Sequence, residues 1–83
     1  MKHGTDKALD NLDELLVAVR SYTELKEMKR GIFYYKSSAF LHFHEDTAGL
    51  FADLRIGGHF KRFAVNTTGE QKRFRAALKS ALS

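Results

Sequence analysis

Apolar positions in the first third of the chain recur at helical spacing. Leu9, Leu12, Leu15, Leu16, Val19, Tyr22 and Leu25 follow the 3.6-residue period of one buried face, which predicts a helix over residues 5–29. Thr5 or Asp6 can cap its start, and Asp10, Asp13 and Glu14 sit in early turns where the helix dipole favours negative charge. Lys26, Lys29 and Arg30 crowd the end, and Gly31 can terminate it. After Gly31 the period falls to two. Residues 32–35, 39–44, 50–56 and 60–65 are rich in aromatic and β-branched residues, and each predicts a strand. Ser37-Ser38, the segment 45–49 and Gly57-Gly58 supply the turns, the last because hairpin turns favour positive φ. Thr67-Thr68-Gly69-Glu70 matches a capping box that opens a last helix over about 68–82, with Phe74, Ala77, Leu78 and Ala81 on its apolar face. The expected order is α-β-β-β-β-α. It describes a single α+β domain over residues 1–83, a four-stranded antiparallel meander with two helices packed on one face.

Side-chain alternation tests that arrangement. Pairing Lys36 with Ala39, His44 with Gly49 and Ile56 with His59 places Ile32, Tyr34, Leu41, Phe43, Leu50, Ala52, Leu54, Phe63 and Val65 on one side, the expected core. The opposite side carries Phe33, Tyr35, Phe40, His42, His44, Phe51, Asp53, Arg55, Phe60 and Arg62. Two short helices cannot cover both faces of such a sheet. Five aromatics left open to water form an apolar patch of the kind that marks an interaction surface. A second subunit is the simplest cover, so a homodimer is expected.

Composition adds limits. The 83 residues include no cysteine, which removes disulfides and thiolate metal sites. No run approaches the roughly 20 apolar residues that span a bilayer, and Met1-Lys2-His3-Gly4 leads into a charged stretch. The expectation is a cytoplasmic protein without a membrane partner. The net charge of +4 is unevenly distributed. Residues 1–54 hold seven Lys/Arg against nine Asp/Glu, whereas residues 55–83 hold seven Lys/Arg against one acid. Arg55, Lys61, Arg62, Lys72, Arg73, Arg75 and Lys79 could therefore contact nucleic acid, an alternative to the interaction-domain reading.

Candidate chemistry is sparse. His42-x-His44 puts two imidazoles on one strand face, with Asp53 on the next strand, a donor set able to hold zinc or ferrous iron. In the register above, however, His42 faces Phe51, and Asp53 lies diagonal at roughly 7–8 Å. Asp53 also faces Arg62, which competes for the carboxylate. A metal or small-ligand site at His42, His44 and Asp53 is thus a further alternative, and no metal or cofactor is assigned. There is no Gly-x-Ser-x-Gly elbow and no Gly-rich phosphate loop, so no catalytic residue is assigned and the expectation is a non-enzyme. Asn66-Thr67-Thr68 fits a glycosylation pattern but reads better as the helix cap.

The stretch Phe33-Tyr34-Tyr35-Lys36-Ser37-Ser38-Ala39-Phe40-Leu41-His42-Phe43-His44-Glu45-Asp46, followed by Leu50-Phe51-Ala52-Asp53-Leu54-Arg55, resembles the MmcQ/YjbR-like family of small, largely uncharacterised bacterial proteins. In that family a helix precedes a strand, a short turn, a second strand and an acidic turn. The chain departs from the pattern after Arg55, where it enters the Gly-Gly hairpin and the capped helix. The resemblance implies a DNA-binding role as an expectation and carries over no site residues.

Overall fold

In the computed structural model, which describes residues 2–3 and 9–83, the chain runs β1 (Lys2–His3), α1 (Asp13–Arg20), β2 (Leu25–Lys29), β3 (Ile32–Tyr35), β4 (Ser38–Asp46), β5 (Gly49–Ile56), β6 (His59–Ala64) and α2 (Thr68–Ala81). The α+β class and the antiparallel sheet are as expected. The strand count is not. Five strands pair in the order β2-β3-β4-β5-β6, and β1 adds to β4 with Lys2 opposite Glu45 and His3 opposite His44. The cap expected at Thr5 or Asp6 lies outside the described residues.

The additional long strand comes from the segment expected to end the first helix. Leu25-Lys26-Glu27-Met28-Lys29 consists of good helix formers, yet α1 stops at Arg20. Ser21 turns its hydroxyl back to donate to the Ala18 carbonyl at 2.6 Å, and the chain reverses into β2. Pairing with β3 satisfies the backbone groups on one side of β2 and overrides the local preference. A bidentate ion pair ties the reversal down. Arg20 donates from Nε to Glu27 Oε1 at 2.7 Å and from Nη2 to Oε2 at 3.0 Å. Gly31 is therefore a hairpin residue and not a helix terminator. It has φ +83°, and its amide donates to the Glu27 carboxylate at 3.0 Å. Lys26 and Lys29 lie on an edge strand, where charge discourages pairing with another chain.

Two registers also differ from expectation. The β3–β4 turn is Lys36-Ser37, both with positive φ, and not Ser37-Ser38. Tyr35 then pairs with Ser38 and Tyr34 with Ala39, but Phe33 pairs with Leu41, so Phe40 has no residue opposite it. This one-residue bulge advances β4 and turns Phe33 inward, with Tyr34 and Ile32 outward. Phe33 is 1 % exposed and Phe40 4 %, and Tyr35 packs against the core with its ring 5.3 Å from that of Phe40. These three aromatics belong to the core and not to the open face, and Ile32 and Tyr34 leave the expected core list. Between β4 and β5 the register slips by two, with His42 opposite Asp53, Phe43 opposite Ala52 and His44 opposite Phe51. An even slip preserves the faces and changes only the partners.

The inner face buries Phe33, Leu41, Phe43, Ala52 and Leu54 against Leu12, Leu15, Leu16 and Val19 of the first helical region and Phe74 and Leu78 of α2. Phe74 is the aromatic hinge of that contact, with its ring 5.7 Å from Phe43 and 6.0 Å from Phe63, both edge to face. The capping box is present as expected. Thr67 Oγ1 accepts from the Glu70 amide, and the Glu70 carboxylate accepts from the amides of Thr67 and Asn66. The β5–β6 register, with Asp53 opposite Arg62 and Ile56 opposite His59, is also as expected.

Candidate functional site

With both helices on the inner face, the outer face of the sheet holds the unexplained polar residues. His42 and His44 are two apart on β4 and so point the same way. The β4–β5 register sets Asp53 directly opposite His42, and the β5–β6 register sets Arg62 opposite Asp53. Three adjacent strands thus bring four charged or titratable side chains to one place.

Both imidazoles converge on one carboxylate oxygen. Nε2 of His42 lies 3.4 Å from Asp53 Oδ2, and Nε2 of His44 lies 3.1 Å from the same atom. The rings are tilted by 34° with centroids 5.3 Å apart. Arg62 approaches from the far side and donates from Nε to Oδ1 at 3.1 Å and from Nη2 to Oδ2 at a longer 3.4 Å. Burial alone would raise the Asp53 carboxyl, but the hydrogen bonds from Arg62 and the close approach of the His44 ring outweigh it and hold the group below the usual carboxylate range.

Aromatic rings frame the cluster. Phe51 stacks on His44 at 6.0 Å and lies under the Arg62 guanidinium at 5.7 Å. Phe60 meets His42 edge to face at 5.9 Å. His44 is only 2 % exposed, whereas the His42 side chain is about a third exposed. The cluster is therefore closed at His44 and open at His42. Neither nitrogen of the buried His44 ring has an aligned hydrogen-bond partner among the described residues, despite the short Nε2–Oδ2 approach.

Of the ten residues expected on the open face, His42, His44, Phe51, Asp53, Phe60 and Arg62 are gathered here, and Arg55 shares the face opposite Phe60. Phe33, Tyr35 and Phe40 are not. The face also carries Ile32, Tyr34 and, through β2, Lys26 and Met28, which pattern reading placed elsewhere. The signal for β2 was the Lys29-Arg30-Gly31 turn, which reads as well for a hairpin as for a helix end. The basic residues of the last third are divided. Arg55 and Arg62 are on the outer face, while α2 lies across the inner one. Lys72 and Arg75 line a cleft shared with Glu14 of α1, Arg73 stands near the Glu70 carboxylate, and the Lys61 ammonium lies over the Phe63 ring at 5.4 Å. No helix among the described residues is long and apolar enough to cross a membrane. Comparison with protein-family models, curated proteins and solved structures finds no match.

Proposed function

We propose that this protein is a non-enzymatic binding domain that works through the outer face of its sheet, with a second copy of the chain as the partner. The observation that carries this reading is the one-sided packing. Both helices lie against the inner face, and on the other face Met28 is 52 % exposed and Phe60 49 % exposed, beside Ile32, Tyr34 and Phe51.

Size supports it. A stable interface removes about 800 Å² from each partner, roughly 15 % of the 5387 Å² that one chain exposes. One broad side of a body measuring 30 × 25 × 23 Å is enough. The face also mixes Arg55 and Arg62 with Asp46 and Asp53, so a twofold copy can oppose unlike charges. The test is light scattering on chelator-treated protein at high micromolar concentration. A dimer mass is expected for the wild type and a monomer for Phe60→Glu, which changes an exposed side chain and leaves the core intact. A wild-type mass of 9.5 kDa under those conditions would refute self-association.

A further inference from the structure

We propose that His42, His44 and Asp53 form a binding site for one divalent first-row transition metal ion of the zinc class. This rests on the reading that the outer face is the working surface, but it does not require self-association.

The donor atoms are already close to coordination spacing. In a tetrahedral site with metal–ligand bonds of about 2.0–2.1 Å, neighbouring donors stand about 3.3 Å apart. The two Nε2–Oδ2 separations are 3.4 and 3.1 Å, and the three residues each offer a donor atom within 4.8 Å of the others. A small closing movement of the two rings completes the triangle. The strand register that makes this possible is the direct opposition of His42 and Asp53.

The second argument is the state of His44. A buried ring nitrogen with no aligned hydrogen bond is costly, and proteins seldom tolerate one without a use for it. His44 is 2 % exposed, its Nε2 is directed into the cluster, and neither ring nitrogen has an aligned hydrogen bond among the described residues. A metal bond would satisfy Nε2. The third argument is the support around Asp53. Arg62 takes Oδ1 through its shorter bond, which fixes the carboxylate with Oδ2 toward the imidazoles. Outer contacts of that kind orient metal ligands and are part of the site.

The chemistry of the set selects the ion. Two neutral imidazoles and one carboxylate suit zinc, cobalt, nickel or ferrous iron, and suit magnesium or calcium poorly, because those prefer all-oxygen cages. Only one carboxylate neutralises the ion, and the Arg62 charge stands nearby, so moderate affinity is expected rather than the tight binding of thiolate sites. Three protein ligands leave at least one position free, and the exposed His42 side is where water or a ligand atom would enter.

The rival account is a metal-free cluster in which protonated histidines pair with Asp53. The two accounts respond oppositely to pH. Metal binding strengthens as pH rises, because the ligands must be deprotonated, whereas ion pairs of protonated histidines with Asp53 weaken. Asp46, close enough to act on Arg62, adds negative charge on the same side.

The experiment uses untagged, chelator-stripped protein. Zinc is titrated calorimetrically at pH 7.5 and pH 5.5, with magnesium as control, and cobalt serves as a visible-absorption probe. The expected result is one zinc per chain with low-micromolar affinity at pH 7.5. It should be weakened at least about tenfold at pH 5.5 and in both His42→Gln and Asp53→Asn, with circular dichroism unchanged in His42→Gln. Cobalt should give the visible bands of a four- or five-coordinate nitrogen–oxygen site, lost in the same variants. Absence of zinc binding at pH 7.5, wild-type affinity retained in either variant, or binding of magnesium as strong as zinc would overturn the assignment. Oligomeric state is read separately. A monomer that binds zinc at these residues keeps the site and removes the dimer, and a dimer without zinc binding does the reverse.

Discussion

The ion pair between Arg20 and Glu27 offers the sharpest test of where the first helix ends. If residues 21–29 continued as helix, the two Cα positions would stand seven residues apart, about 10.5 Å along the axis. That distance is close to a Debye length at 0.1 M salt, and such a pair would show almost no coupling. In the observed fold the chain reverses after Arg20, and the guanidinium meets the carboxylate through two parallel hydrogen bonds of 2.7 and 3.0 Å. The side chains are 39 % and 24 % exposed. Solvent screening therefore discounts the Coulomb term, and exposed pairs contribute only about 0.2–1 kcal/mol. Bidentate geometry and the half-buried carboxylate place this pair near the top of that range, at about 1 kcal/mol. The assay is a double-mutant cycle of Arg20→Gln and Glu27→Gln, followed by urea unfolding at pH 7 in about 0.1 M salt. Glutamine keeps an oxygen that can accept from the Gly31 amide, so the cycle isolates the pair. The hydrogen bond from Arg20 is the largest influence on the Glu27 carboxyl. Burial opposes it, and the net result is a pKa below the ordinary 4.5. A depressed carboxyl contributes stability above its unfolded pKa and loses it as pH falls through the folded one. The coupling should therefore be intact at pH 7 and fade in acid below about 4.5. A coupling within about 0.3 kcal/mol of zero at pH 7 would refute the stabilising part given to this pair in the reversal at Arg20.

Three further outcomes follow from the packing and the turns. Phe74→Ala should cost about 3–5 kcal/mol by chemical denaturation, a large share of the roughly 4–12 kcal/mol expected for a chain of this length; a loss below about 1 kcal/mol would mean that α2 is not docked through this ring. Replacing Lys36-Ser37 with Asn-Gly should raise stability by about 1 kcal/mol, because both positions have positive φ that ordinary side chains adopt at a cost. A lower melting temperature would contradict that turn geometry. Asp53→Asn should flatten the acid limb of the stability–pH curve. Burial raises the Asp53 carboxyl but Arg62 and His44 hold it below 3.8, so the wild type loses this contribution as pH drops through that depressed value and the variant has none to lose. Identical acid limbs in unfolding titrations would disprove the role given to the carboxylate.

How far the sequence reached depended on whether local pattern and tertiary demand agreed. At β5, β6 and α2 they agreed. Gly57-Gly58 supplies φ values of +59° and +85°, and Thr67 with Glu70 closes the cap, so the elements and the pairing followed from local chemistry. At Leu25–Lys29 they conflicted. Every residue there favours a helix, and only the partner strand and Arg20 make it extended. The β3–β4 bulge left no mark either, because Phe40 is as apolar as its neighbours and period two runs through it unbroken. For the site, the right side chains were legible because an even slip cannot change a face. Their meeting point was not. The direct approach of His42 to Asp53 depends on the turn closing at Thr47-Ala48, with Asp46 opposite Gly49 and Asp46 Oδ1 accepting from the Ala48 amide at 2.7 Å, rather than spanning residues 45–48 with His44 opposite Gly49.

The unopposed Phe40 has a consequence for changes in chain length. Removing it would leave Tyr34 opposite Ala39 and Phe33 opposite Leu41, with the same side chains inward and outward as before. Removing a residue elsewhere in the ladder, between His42 and Asp46 or anywhere in β5, would send one half of that strand to the wrong side of the sheet. Single-residue deletions along the central hairpin should thus be tolerated at one place only. There the loss is confined to one buried ring, and the histidines keep their direction.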